Sequence, residues 1–189
     1  MDMFNSPYKI ICQIIGIVAM SLVFISYQQK KQNTLIRLQL FSSALFAVHF
    51  FMLGAVMGGV LNIVSAFRAF IYSNKEKFKG EHIGWLLLFS GISIAAYIVN
   101  FTVLKTEPTL KNFIIEVFPV IAMISLSMGF RTKDAKASRN YSLICSPSWL
   151  IYNIAKLSIG GIMSDSFAVI SIIIGKIRLD LKHKQEVSK

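Results

Sequence analysis

Acidic residues are scarce in this chain. Nine Asp and Glu stand against 20 Lys and Arg in 189 residues, and charged residues of both signs make up only 15%. A soluble domain carries roughly a quarter, so that class is excluded. So few carboxylates, scattered through the loops, also leave no cluster for general acid–base catalysis. Histidine is rarer still, with three, and His82 and His183 lie in basic loops. HExxH, GxSxG and Walker sequences are all missing, so zinc hydrolysis, serine hydrolysis and nucleotide-driven pumping lack their residues. Neither an enzyme nor a cofactor is expected.

Two cysteines, Cys12 and Cys145, sit in separate apolar runs with no metal-type spacing. That argues against a disulfide framework and against a cysteine-held metal. Ten-residue segments of alternating polarity are missing too, which excludes an outer-membrane barrel.

What the chain has instead is apolar length: 54% hydrophobic residues and a mean hydropathy of +0.61. Several runs approach the ~20 residues needed to cross a bilayer. Helix is the only open choice for them, because isolated strands would leave backbone groups unpaired in lipid. Seven spans are predicted, at Ile10–Tyr27, Leu35–Leu53, Met57–Tyr72, Ile83–Leu104, Phe113–Phe130, Tyr141–Leu157 and Ile159–Ile177. The fold class is thus an all-α membrane protein forming one transmembrane domain. Lys9 before the first run suggests a secretory signal, but no small-x-small site precedes Lys30-Lys31. The first span is therefore expected to stay.

Basic residues set the orientation. Lys30, Lys31, Arg37; Lys75, Lys77, Lys79; Arg131, Lys133, Lys136, Arg139; and Lys176, Arg178, Lys182, Lys184, Lys189 follow alternate spans, whereas the other side holds Lys9, Lys105, Lys111 and Lys156. By the positive-inside rule the amino terminus lies outside and the carboxyl terminus in the cytoplasm. The net charge of +11 is this bias and no sign of a nucleic-acid partner. The partner implied is the lipid bilayer.

The chain repeats itself. A shift of 103 positions, which sets Ala19 on Ala122, carries Ile17-Val18-Ala19-Met20 onto Val120-Ile121-Ala122-Met123. It also sets Tyr27 on Phe130, Lys30 on Lys133, Phe46 on Trp149, His49 on Tyr152, Gly58 on Gly161 and Asn62 on Asp165. The expected plan is two parallel three-helix repeats, about 10–73 and 113–178, joined by a linker helix at about 83–104 and followed by a basic tail, 179–189. An odd linker gives both halves one orientation, about an axis along the membrane normal.

Three-plus-one-plus-three is the layout of the SWEET sugar transporters and the wider PQ-loop group. The run Tyr27-Gln28-Gln29-Lys30-Lys31-Gln32-Asn33-Thr34 resembles the basic PQ-loop signature, with Tyr27 where the proline would stand. A closer resemblance is to the bacterial inner-membrane YgjV family. It rests on Val48-His49-Phe50-Phe51-Met52-Leu53-Gly54, the stretch from Asn62 to Arg68, and Ser158-Ile159-Gly160-Gly161 with Ser166-Phe167. This second resemblance covers most of the chain and implies a location in the bacterial inner membrane.

Polar groups inside spans are the first candidates for function. His49 is either a packing histidine bonded to a neighbour or a solute-facing donor. Its shifted mate Tyr152, beside Asn153 and near Trp149, favours a lined cavity. SWEET-like proteins grip sugars between aromatic faces and asparagine amides, and Trp149, Asn153 and Asn62 are the matching types. Arg68 lies deep in the third span, with Glu116 and Asp165 as candidate partners, snorkelling or an anion contact as alternatives. Asp165 can equally be a solvated residue at a helix start. Pro119 and Pro147 interrupt their spans and suit hinges.

The expected function is alternating access or facilitated passage of a small polar solute, a sugar or similar metabolite, without ATP. His49, Asn62, Tyr152 and Asn153 would line a central site, Trp149 would stack, and the loops at Gln28-Gln29 and Arg131-Thr132 would lie near a cytoplasmic gate. A non-transporting scaffold that binds a partner, and a vitamin or nucleoside carrier, stay open. So does a homo-oligomer.

Overall fold

Apolar runs that must satisfy their own backbone have one solution in lipid, the helix, and the chain takes it throughout. A computed structural model describes residues 7–52, 56–103, 107–155 and 159–181. Among the described residues every regular element is helical: α1 (Pro7–Tyr27), α2 (Gln32–Met52), α3 (Val56–Ser73), a single-turn α4 (Lys75–Phe78), α5 (Ile83–Thr102), α6 (Leu110–Arg131), α7 (Ala135–Ala155) and α8 (Ile159–Gly175). The last runs on into a π-helical turn, Lys176–Leu181. Leu53, Gly54, Leu104, Lys156, Leu157 and the tail from 182 onward lie outside the described residues.

Among the described residues four helices are long and apolar enough to cross a membrane: α1 over Ile10–Tyr27, α2, α5 and α6. The other three long helices carry more polar residues or are shorter. Arg68 lies in α3, Arg139 and a row of serines lie in α7, and α8 has 17 residues.

Local chemistry moves some boundaries from their expected places. Helix α7 begins at Ala135 rather than near Tyr141 because Asp134 caps it, accepting from the backbone N–H of Lys136 at 3.0 Å and of Ala137 at 3.3 Å. A side-chain cap of this kind satisfies donors that the first turn cannot. Lys136 and Arg139, expected in a loop, are thereby helical. Thr109 caps α6 likewise, accepting from Asn112 N at 3.2 Å.

Within the bundle α2 lies between α1 and α3, and α7 lies between α6 and α8. The two groups meet where α8 packs on α1 and, less extensively, where α3 packs on α6 and α2 on α7. Small side chains line α7, as they often do where helices approach in membranes. Ser138, Ser142 and Ser146 recur every fourth residue on one buried face of α7, with Cys145 beside them. Helix α5 docks on α6 and, through Trp85 and Phe89, on α3. Phe67 meets both rings edge-on at 6.4 and 6.3 Å, Tyr72 lies 6.0 Å from Phe89, and Trp85 Nε1 donates to Phe78 O at 2.9 Å.

Candidate functional site

The residues singled out in the sequence fall into two separate groups, one per three-helix set. His49 is on the last turn of α2, with its ring against α1. Its Nδ1 lies 2.8 Å from the Cys12 carbonyl oxygen and 3.4 Å from Cys12 Sγ, and the ring covers Gly16. A side chain at residue 16 would strike the imidazole, so glycine there lets the ring lie flat on α1. Asn62, one helix further on, is half-buried in α3. In the other set Trp149 and Tyr152 meet edge-to-face at 5.8 Å, and Asn153 Nδ2 donates to Asp165 Oδ2 at 2.6 Å. No contact among the described residues ties His49 to Trp149, Tyr152 or Asn153. Pro119 and Pro147 lie inside α6 and α7, both of which continue through them.

Arg68 lies deep in α3, as expected, and the ion pair and the snorkelling considered for it are not found among the described residues. Asp165 is taken by Asn153, and no carboxylate among the described residues lies within ion-pair distance of the guanidinium. Nor does Arg68 snorkel, for it is 1% exposed. Its contacts are Met123 Sδ at 3.3 Å, Ser65 Oγ at 3.5 Å and the Phe130 ring at 5.9 Å. Thioethers are weak acceptors, and 3.5 Å is at the limit of a hydrogen bond.

Around Arg68 the chain gathers a polar layer that span-by-span reading passes over. The Tyr27 hydroxyl lies among Gln39, Ser142 and Ser146, and Gln39 Nε2 donates to Ser26 Oγ at 3.2 Å. Ser42 Oγ donates to the Ala19 carbonyl at 2.8 Å, holding α2 to α1. Tyr27, Tyr72 and Cys145 are the titratable groups nearest in electrostatic reach of Arg68. The signal for this layer was present in the sequence: serines at four-residue spacing in α7, and Gln39 inside an apolar run.

At the basic end the helices cap one another. The Lys75 ammonium donates to the carbonyls of Arg131 (3.1 Å) and Thr132, at the carboxyl end of α6. Arg178 Nη2 donates to the Gln28 carbonyl at 3.2 Å, just past the carboxyl end of α1. Cations favour such ends because unpaired carbonyls and the helix dipole make them negative. Gln28 Nε2 adds bonds to Ser171 O at 2.7 Å and Ser171 Oγ at 3.0 Å, and Ser171 Oγ donates to Phe24 O at 2.6 Å. Gln29 Nε2 turns back to Ile25 O at 3.0 Å, while Gln29 O accepts from Arg139 Nη1 at 2.8 Å.

Arg139 and Asp180 form a bidentate pair, Nε to Oδ2 at 3.1 Å and Nη2 to Oδ1, with both side chains 3% exposed. Asp180 lies on the π-helical turn, whose wider winding re-aims the residues that follow α8. Burial holds the Lys75 amine down to about 8, with Glu81 drawing it up and Lys133 pushing it down. Two shallow hollows open at this end. One, of about 270 Å³, lies by Arg131 and Tyr141; the other, of about 430 Å³, lies by Lys75 and His82.

A polyhelical chain with this apolar surface and a charged, mutually capped end is an integral membrane protein. No curated protein and no solved structure matches it. A model of the Imp-YgjV family, described as bacterial inner membrane protein, matches residues 10–183. The chain belongs to that family.

Proposed function

We propose that the chain is a carrier for a small polar solute, not an enzyme, built as seven spans on the SWEET-like plan. Two parallel three-helix halves, α1–α3 and α6–α8, flank the linker α5 and rock against each other. The amino terminus lies outside and the basic end faces the cytoplasm, in keeping with the positive-inside bias. One observation carries this reading. The 103-position shift takes Lys75 onto Arg178 and Gln28 onto Arg131, so the cap from α4, just beyond α3, onto α6 and the cap from just beyond α8 onto α1 fall at matching positions. Each half closes the end of the other with a cation at matching positions. That is what two-fold related halves require, and residue similarity alone does not demand it.

In this reading the paired caps, the Gln28–Ser171 bonds and the Arg139–Asp180 pair are a closed cytoplasmic gate. Opening towards the cytoplasm breaks Lys75 from α6 and Arg178 from α1 together. The central polar layer at Arg68, Tyr27 and Tyr72 lies behind the gate, and His49, Asn62, Trp149, Tyr152 and Asn153 lie towards the outer side, in the wall of the path. Pro119 and Pro147 interrupt the backbone ladder of α6 and α7, where bending costs least.

The internal bonds of His49 and Asn153 favour a second reading, a scaffold that binds a protein partner and moves no solute. A thermal screen of the purified protein against sugars, nucleosides, vitamins, amino acids and organic acids separates the two. A solute at a hundred times its dissociation constant stabilises by about 2.7 kcal/mol. A shift from one class, followed by uptake of that class into proteoliposomes, supports the carrier. A flat screen with a well-folded sample, and no uptake, sinks it.

A further inference from the structure

We infer that the solute of the central site carries an anionic group, a carboxylate or phosphate, held by Arg68; the inference rests on the carrier reading and names its substrate class. Arg68 presents five N–H donors and a fixed positive charge, yet among the described residues it meets only a thioether, a hydroxyl at 3.5 Å and an aromatic face. Its Nε has no hydrogen-bond partner. An arginine sealed from water in a helical bundle normally pairs with a carboxylate or with backbone carbonyls, and this one has neither. A charge kept there without a partner is matched to one that arrives.

The neighbouring turn gives a second, independent indication. Tyr72 is four residues on, so it shares a face of α3 with Arg68, and it is 1% exposed. Its hydroxyl is also without a partner. Both side chains face Phe130 of α6, Arg68 at 5.9 Å and the Tyr72 ring at 6.2 Å. Two buried donors left open, one turn apart at the contact of α3 with α6, mark one place. A planar, two-oxygen anion fits the guanidinium fork and leaves an acceptor for a phenol. The equivalent position in the second half does not offer this. There the shift brings Ser171, whose hydroxyl is already used on Phe24 O and Gln28. The site is therefore cationic on one side only, and takes one anion.

The test is a melting curve of the purified full chain titrated with sodium acetate, sodium phosphate and, separately, glucose. Ionic strength is held constant with sodium chloride. The expected result is a saturable rise in melting temperature with acetate or phosphate. In Arg68→Lys the half-saturating concentration rises roughly tenfold, because the charge stays and the fork is lost. In Arg68→Met the rise disappears. Should Arg68→Met not fold, Arg68→Lys and Tyr72→Phe carry the decision, the latter by weaker binding with the charge intact. A linear response equal for all salts overturns the inference, and so does a saturable rise unchanged in Arg68→Lys. If glucose alone stabilises saturably, the carrier stands and the anion falls; if nothing does, both fall.

Discussion

Asp180 is the residue whose loss the buried geometry makes most expensive outside the central layer. It is 6% exposed, carries the only carboxylate that reaches Arg139 among the described residues, and takes two of that side chain's donors. Exchanging Asp180 for Asn keeps the shape and removes the charge. Arg139, 2% exposed, would then keep the Gln29 carbonyl and one amide oxygen, with its charge uncompensated. Removing one partner of a buried pair costs about 3 kcal/mol or more. For a chain of this length that is a fall on the order of 10 °C in melting temperature. The protein supplies its own probe. Cys12 and Cys145 are 2% and 4% exposed, so a thiol-reactive fluorophore reports unfolding without added residues. Asp180→Asn should melt on the order of 10 °C lower, and the paired change Arg139→Met with Asp180→Leu should recover most of the loss, since two apolar side chains leave no orphan charge. If Asp180→Asn melts with the wild type, the pair is solvated in the membrane-bound protein and the gate described above is not built on it.

Three further outcomes follow from the same end of the bundle. Gly175→Ala places a methyl group against the Tyr27 carbonyl and 3.3 Å from Arg139 Cδ. Backbone cannot yield as a side chain does, so the expected cost is about 1–3 kcal/mol, read in the same melt; an unchanged melt would mean that α8 stands off α1. Lys75 should acylate with a reactivity midpoint near pH 8, well below an exposed lysine. The unfolded chain holds more protons than the folded one between about 8 and 10.5, so this group's contribution to stability rises with pH across that window and its burial cost is fully present below it. A midpoint near 10.5 would refute the burial. Finally, Lys75→Ala with Arg178→Ala should raise the rate of Cys145 labelling from the cytoplasmic side of vesicles by more than the two single changes do in sum. Additive or absent effects would show that the two caps do not act as one gate.

Much of the helical layout was legible because apolar length and the scarcity of strand signals leave so few alternatives. The long helices fall close to the expected runs, apart from starts such as Ala135, where a short polar cap decides and hydropathy is blind. The short α4 and the π-helical turn were not legible, since both are short continuations beyond the end of a long helix and too brief to show periodicity. Charges were the hardest to place. Arg139 reads as one more cytoplasmic cation and is buried against Asp180, a single acid in a basic tail. Arg68 reads as paired with Glu116 or Asp165, as snorkelling, or as an anion contact; it is buried, and Asp165 is bonded by Asn153. Pairing of charges depends on which helix faces lie opposite each other, and no spacing within one helix carries that information.

The contacts of α8 on α1 and of α3 on α6 involve residues 103 positions apart in the sequence and differ in a way that bears on motion. At α8 on α1 the shifted positions are Gly175 and Ser171, so backbone approaches backbone and the serine bonds across. At α3 on α6 the same positions are Tyr72 and Arg68, large side chains with open donors, and the helices touch less. A pair of equal junctions would give a symmetric hinge. Here one junction is fastened by backbone-level hydrogen bonds and the other is propped apart by side chains that lack acceptors. If the halves rock, the fastened junction is the pivot and the propped one is the side that opens. Closure on an acceptor at Arg68 and Tyr72 would then supply the differential affinity that a ligand needs to shift such an equilibrium.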